Sequence, residues 1–170
     1  MQKDELDAIL FEDNVEKAKG YIIDYHLNKS MKIIRDKLKE KGYEERVTEQ
    51  VIDFLERYRI VDDGEYAKKK SKDLSRIGKK GPRVIAQTLR QNGVSNEFIE
   101  KALDEIDEEE QLHSAEKALR GKIQGYRKKA KNPYEFKQKC YTFLLGRGFT
   151  SNIIAQLLDQ LELEEKEDEF

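Results

Sequence analysis

Apolar residues fall in the same order three times along this chain. The segments LKEKGYEERVTEQVIDFL (38–55), LRQNGVSNEFIEKALDEI (89–106) and LLGRGFTSNIIAQLLDQL (144–161) align without a gap. Each opens on a leucine (Leu38, Leu89, Leu144), and four residues later comes a glycine (Gly42, Gly93, Gly148) followed by an apolar residue (Tyr43, Val94, Phe149). Beyond the glycine the matches are Val47/Phe98/Ile153, Val51/Ala102/Leu157, Ile52/Leu103/Leu158 and Leu55/Ile106/Leu161, a helical rather than an alternating spacing. Before it, Ile34/Leu38, Ile85/Leu89 and Cys140/Leu144 mark one face of a preceding helix. The glycine stands where a helix C-terminus takes a left-handed residue, and Ser95 and Thr150 fit as N-caps of the helix that follows. The unit is helix, glycine, helix. Its recurrence after 51 and 55 residues is a tandem repeat, whose units bury their apolar faces against neighbours.

A further helix precedes each pair, over about 14–28, 62–77 and 109–129, with Asp62 or Asp63 capping the second of them. The expected fold is all-α, nine helices in three tandem triplets. The triplets span 14–60, 61–107 and 108–163, with flexible acidic ends at 1–13 and 164–170.

Composition agrees with this pattern. Of 170 residues 40% are charged and only two are proline, a mix that favours long amphipathic helices over sheet. The single cysteine, Cys140, allows no internal disulfide, and no apolar run approaches membrane-spanning length. The N-terminus lacks a signal-peptide pattern, so a soluble cytoplasmic protein with no membrane partner is expected.

The net charge of −2 hides a strong segregation. Residues 1–16 hold six acids against Lys3, and 97–110 hold eight against Lys101. Residues 64–92 hold nine bases against Glu65 and Asp73, and 117–147 hold ten against Glu135. Blocks of this kind build basic and acidic surfaces on one body.

The stretch GKKGPRVIAQTLRQNGVS (78–95) invites a nucleotide-loop reading, but its spacing departs from G-x-x-x-x-G-K-[ST] and a basic helix rather than a strand precedes it. Pro82 suits a first helical position and Gly93 the stop. A helix start flanked by Lys79, Lys80 and Arg83 is still expected to attract anions, a backbone phosphate among them. Catalytic chemistry is weakly represented. His26 and His113 lack metal-ligand spacing, Cys140 holds an apolar repeat position, and the acids of DEIDEEE (104–110) lack the order of a calcium loop. No enzyme, metal or cofactor is expected. Most aromatic residues fall at helical spacing beside aliphatics, and only Tyr126 and Tyr134 lie in a basic block.

The helix–glycine–helix unit also suggests a DNA-reading helix-turn-helix. Charge opposes it: Glu97, Glu100, Asp104 and Glu105 in the second unit, like Glu44, Glu45, Glu49 and Asp53 in the first, would face phosphate in the major groove. The bases lie on the first and second helices of units two and three, which favours backbone contact over base readout.

Over residues 60–95 the chain resembles the central signature of the RecX family, regulators of the RecA recombinase. The residues that carry the resemblance are Asp62, Asp63, Tyr66, Ala67, Gly81, Pro82, Arg83, Ile85, Leu89 and Gly93. It extends over about 15–162, most specifically in unit two and most loosely in unit three. Some members carry an additional N-terminal segment, whereas this chain begins almost at its first repeat. The resemblance implies an elongated, curved stack that lies in the groove of a RecA–DNA filament, bridges RecA protomers and contacts DNA. Filament growth, ATP hydrolysis and strand exchange would thereby be restrained. The implied partners are the RecA filament and single- and double-stranded DNA, with the chain acting as a monomer. Charge density nominates Lys68, Lys69, Lys72, Arg76, Lys79, Lys80 and Arg83 to face DNA or acidic RecA surface, with Arg127, Lys128, Lys129 and Lys131 as a second patch. The family signature itself supports Arg83 and the lysines next to Gly81. Two rival readings remain: a general DNA- or RNA-binding helical repeat, and a protein-interaction scaffold indifferent to DNA.

Overall fold

The computed structural model describes residues 3–167, and among them every regular element is a helix. In order these are α1 (Lys3–Tyr25), α2 (Met31–Glu40), α3 (Glu45–Arg57), α4 (Asp63–Arg76), α5 (Pro82–Gln91), α6 (Asn96–Asp104), α7 (Glu108–Lys129), α8 (Pro133–Gly146) and α9 (Ser151–Glu167). They form the three triplets that the repeat predicts, and within each the first helix packs against the third. Every triplet has its own core. Ile22, Ile34, Leu38, Ile52 and Leu55 centre the first, Ile85, Leu89, Ile99 and Ala102 the second, and Leu119, Leu144, Phe149 and Ile154 the third. Three small cores in series make an elongated body. The chain exposes 11240 Å², whereas a compact monomer of 20.0 kDa exposes about 8700 Å².

Gly42, Gly93 and Gly148 take φ of +91°, +81° and +92°, the left-handed turn expected of them. Ser95 caps α6 by accepting from Phe98 N, and Thr150 does the same for α9 from Ile153 N. The apolar register is kept in all three units, with Ile99 buried like its equivalents Thr48 and Ile154, and one position departs from it. Phe98, aligned with the buried Val47 and Ile153, is 36% exposed.

The largest departure lies at the ends. α1 starts at Lys3 instead of near residue 14, so residues 3–13 are helical where a flexible end was expected. Asp4 and Glu5 occupy its first turn, where the helix dipole favours acids, and Phe11 packs on the first core beneath the Arg46 guanidinium, 4.3 Å from the ring centroid. α9 likewise continues to Glu167, making 164–167 helical. Residues 1–2 and 168–170 lie outside the described residues.

One device joins successive triplets, and it is used twice. The start of α2 sits on the Gly93 turn: fully buried Ser30 donates to Asn92 O at 2.6 Å, and Met31 N donates to Asp63 Oδ1 at 2.8 Å. The start of α5 sits on the Gly148 turn: Gly81 N donates to Arg147 O at 2.9 Å and Arg83 N to Gly148 O at 3.1 Å. Ser30 aligns with Gly81, and Asn92 with Arg147, so repeat-equivalent positions make both joints. The Asp62–Asp63 pair divides its work accordingly. Asp62 caps α4 through Gly64 N and Glu65 N, while Asp63 reaches back across the joint to α2. Burial pushes the Asp63 carboxyl above its usual range, against the opposing pull of the Met31 amide.

Where α4 approaches its neighbours the contact residues are small. Ser71 Oγ donates to Lys68 O and Ala102 O, and Ser75 and Ser114 meet at 3.1 Å. A larger side chain at any of the three would hold the helices apart.

Candidate nucleic-acid interface

The basic run on α4 follows from a helix with apolar residues on one side only, and its lysines divide between two of the remaining faces. On one, Lys68 and Lys72 both reach Glu105, at 3.2 and 2.9 Å, and Arg76 forks onto Glu110 at 3.1 and 3.0 Å. Hydrogen bonds from Lys72 and Lys68 hold the Glu105 carboxyl below the usual glutamate range, and the Glu105 carboxylate raises Lys68. Three of the seven bases nominated in this block are therefore held by acids of α7 and of the end of α6. The Arg76–Glu110 fork fastens the second triplet to the third.

On the other face, Lys69 and Lys70 have no ion-pair partner among the described residues. Both line a pocket of about 100 Å³ at the first joint, with Lys29, Asn28, Tyr66 and Asp73. Lys70 was counted in the basic block but not nominated, and Lys29 was missed by charge counting. Lys29 stands outside every basic block, yet it aligns with Lys80, and both immediately precede the joint residue, Ser30 or Gly81. Repeat position was the signal that could have found it.

Lys79, Lys80 and Arg83 gather at the second joint. Lys79 adopts φ +50° in the tight loop, and Lys80 N donates to Leu74 O. Arg83 spends one arm of its guanidinium on Leu145 O, at 2.6 Å. The backbone N–H groups of this helix start are engaged within the protein. Pro82 has no N–H, Gly81 N and Arg83 N are taken by Arg147 O and Gly148 O, and Val84 N turns to Gly81 O. The groups that would grip an anion grip the next triplet. Arg147, which the sequence did not single out, completes the joint: its Nε donates to Lys79 O at 3.0 Å and its Nη2 to Gly78 O at 2.7 Å.

The second patch occupies the end of α7 and the loop beyond it. Arg127, Lys128 and Lys129 fall in the last turn, where cations suit the helix dipole, and all four bases including Lys131 are exposed. Arg127 lies over the Phe136 ring, 5.6 Å from its centroid, and Lys131 N donates to Glu135. Tyr126 leans edge-on against Phe143, while Tyr134 is 74% exposed. The structure does not bring the two patches together. Glu110, which holds Arg76, and Arg127 are separated by about 25 Å of helical rise along α7.

Cys140 is buried in the third core, as its repeat position requires, and no cluster of metal-ligating side chains occurs among the described residues. Nor is any described helix long and apolar enough to cross a membrane.

Glu105 provides a test of the divided α4. Glu105→Gln is expected to free Lys72, to leave Lys68 only its longer contact with Glu65, and to tighten single-stranded oligonucleotide binding about fivefold with a steeper salt dependence. Fluorescence anisotropy checks it, and unchanged binding would place that face away from nucleic acid. The same carboxylate contributes stability that is present above the ordinary glutamate range and is lost as pH falls through its lowered value.

The geometry defines a class: a jointed helical-repeat scaffold that presents unneutralised basic surface. Three stretches match successive parts of one family pattern, described as the first, second and third three-helix domains of RecX, over residues 28–55, 62–103 and 108–158. The chain is 31% identical over 160 residues to a protein of Clostridium perfringens strain SM101 named Regulatory protein RecX, covering 93% of this chain and 74% of that one. It is 36% identical over 132 residues to the protein of that name from Clostridium botulinum strain Alaska E43, covering 78% of this chain and 61% of the relative's length. A crystal structure of regulatory protein RecX superposes with a TM-score of 0.81 at 28% identity over 94% of this chain and 78% of that one. The fold is also that of RecX from Lactobacillus salivarius, with a TM-score of 0.72 at 24% identity over 89% and 99% of the two chains. The chain belongs to the RecX family.

Proposed function

We propose that this chain regulates a RecA recombinase by lying in the helical groove of the RecA–DNA filament, where it bridges neighbouring protomers. It there restrains filament growth, ATP hydrolysis and strand exchange. It acts as a monomer without a cofactor, and both filament protein and DNA are its partners. The observation that carries this reading is the unpaired basic surface beside both joints of an elongated RecX stack, where Lys29, Lys69 and Lys70 flank the first joint and Lys79 and Lys80 the second. Regularly spaced cations on a long rigid body suit a partner whose phosphates and protomers also repeat. The acidic α3 and α6 starts argue for backbone and protein contact instead of base readout.

The second patch supplies the test. Neutralising Arg127, Lys128, Lys129 and Lys131 together is expected to weaken binding to a preformed RecA–DNA filament about tenfold and to flatten its salt dependence. Binding measured over a range of salt checks it, and a variant as tight as the parent would remove this patch from the interface. A second reading, a DNA- or RNA-binding repeat without RecA specificity, is favoured by the same unpaired lysines. It requires naked nucleic acid to be bound as tightly as the filament.

A further inference from the structure

We propose that the pocket between the first and second triplets is a phosphate subsite for single-stranded nucleic acid, formed by Lys29, Lys69 and Lys70 with the Tyr66 hydroxyl. The assignment deepens the nucleic-acid reading given above and rests on it.

The pocket exists only because the first joint closes. Ser30, bonded to Asn92 O, and Met31, bonded to Asp63, pin the loop before α2 against the second triplet, and Lys29 is the residue just before Ser30. The loop meets the face of α4 that carries Tyr66, Lys69, Lys70 and Asp73, at positions one helical turn and two turns apart. Three lysines from two triplets thus line about 100 Å³, with Asp73 the one acid in the lining, leaving a net charge of +2. None of the three lysines has an ion-pair partner among the described residues, in contrast with Lys68 and Lys72 on the same helix. Like charges gathered in this way repel one another unless an anion joins them.

Tyr66 adds a directional group. Its oxygen accepts from Asn92 Nδ2 at 2.8 Å, so the hydroxyl hydrogen remains available to a ligand oxygen. Burial also keeps the phenol protonated, by raising its pKa. Asn92 therefore serves two purposes, anchoring Ser30 by its carbonyl and orienting Tyr66 by its side chain.

The surroundings favour a polymer over a free ion. The space admits a phosphate group but no base. Past the lining residues Tyr66, Lys70 and Asp73, the same spacing leads to Ile77, the C-cap of α4, which is 78% exposed. Lys80, the repeat equivalent of Lys29, comes three residues later. Cation, apolar surface, cation is the order in which a single strand offers phosphate, base and phosphate.

The test uses the whole chain and nucleic acid alone. A fluorescein-labelled oligothymidine is titrated with the parent, with K29Q/K69Q/K70Q, and with K101Q, whose lysine pairs with Glu97 elsewhere on the surface. The triple variant is expected to bind about tenfold more weakly, with the salt slope reduced by about 0.7 for each phosphate no longer neutralised, and K101Q to match the parent. If the triple variant has lost its helical circular dichroism, K29Q alone is read instead. In parallel, amide resonances of Lys29, Lys69 and Lys70 are followed with oligothymidine and with inorganic phosphate. Shifts with the oligonucleotide support the subsite, with or without similar shifts from phosphate. Shifts with phosphate alone, or equal affinity of triple variant and parent, overturn it. Because RecA is absent, loss of oligonucleotide binding in the variant upholds the subsite even where RecA proves indifferent to the chain.

Discussion

Gly81→Ala is expected to break the joint between the second and third triplets and to destabilise the chain by about 3 kcal/mol. A Cβ at Gly81 would enter the backbone of Gly148 and Phe149, contacting Gly148 C, Gly148 O and Phe149 N. Backbone cannot swing aside as a side-chain tip does, so the two bonds made by Gly81 N and Arg83 N must lengthen together. Urea unfolding, followed by circular dichroism and by tyrosine fluorescence, is expected to lose cooperativity and show the third triplet unfolding apart from the others. Gly42→Ala is the matched control. It stands at φ +91° with nothing within 4 Å of a Cβ, so only the strain of a left-handed alanine applies, about 1–2 kcal/mol. Equal effects at the two glycines would show that backbone conformation, not the joint, sets the cost at Gly81.

Arg147→Ala is expected to cost about 3 kcal/mol at the same joint. Two charge-assisted bonds, to Lys79 O and Gly78 O, disappear, and two carbonyls lose their donor. Arg147→Lys keeps the charge but lacks the planar fork that spans both carbonyls, so its stability should fall between parent and alanine variant. The functional consequence separates the joint from the charges it carries. Both Arg147 variants keep Lys79, Lys80 and Arg83, yet the loop that presents them is no longer tied down, and filament binding should fall with stability. Differential scanning calorimetry and filament binding on the same samples check this. A stable alanine variant that binds normally would show that the joint does not position the basic residues.

Much of this fold was legible because a repeat makes each unit a control for the others. Leucine, glycine and the apolar series give the helix pair, and Ser95 and Thr150 give the caps, since these depend on the identity of single side chains. The joints were not legible. They are made largely by backbone groups, Gly81 N with Arg147 O and Arg83 N with Gly148 O, and no residue type announces a carbonyl's partner. The same gap hid the fate of the N–H groups at the start of α5, which are taken by carbonyls of the next triplet. Charge counting met a related difficulty. Lys68, Lys72 and Arg76 form one block with Lys69 and Lys70 in sequence, but Glu105 and Glu110, from a different block, neutralise the first three and leave the others. The early start of α1 was obscured because Leu6, Ile9 and Leu10 lie at helical spacing with no core to cover them, being 42%, 54% and 51% exposed.

The most direct measurement is RecA's ATP hydrolysis on single-stranded DNA, followed over time with this chain added below and at equal ratio to RecA. Filament regulation predicts a fall in rate at substoichiometric ratios, deepest when the chain is added during filament growth. An unchanged rate at equal ratio, together with tight binding to DNA alone, would contradict it and leave a nucleic-acid-binding repeat in its place.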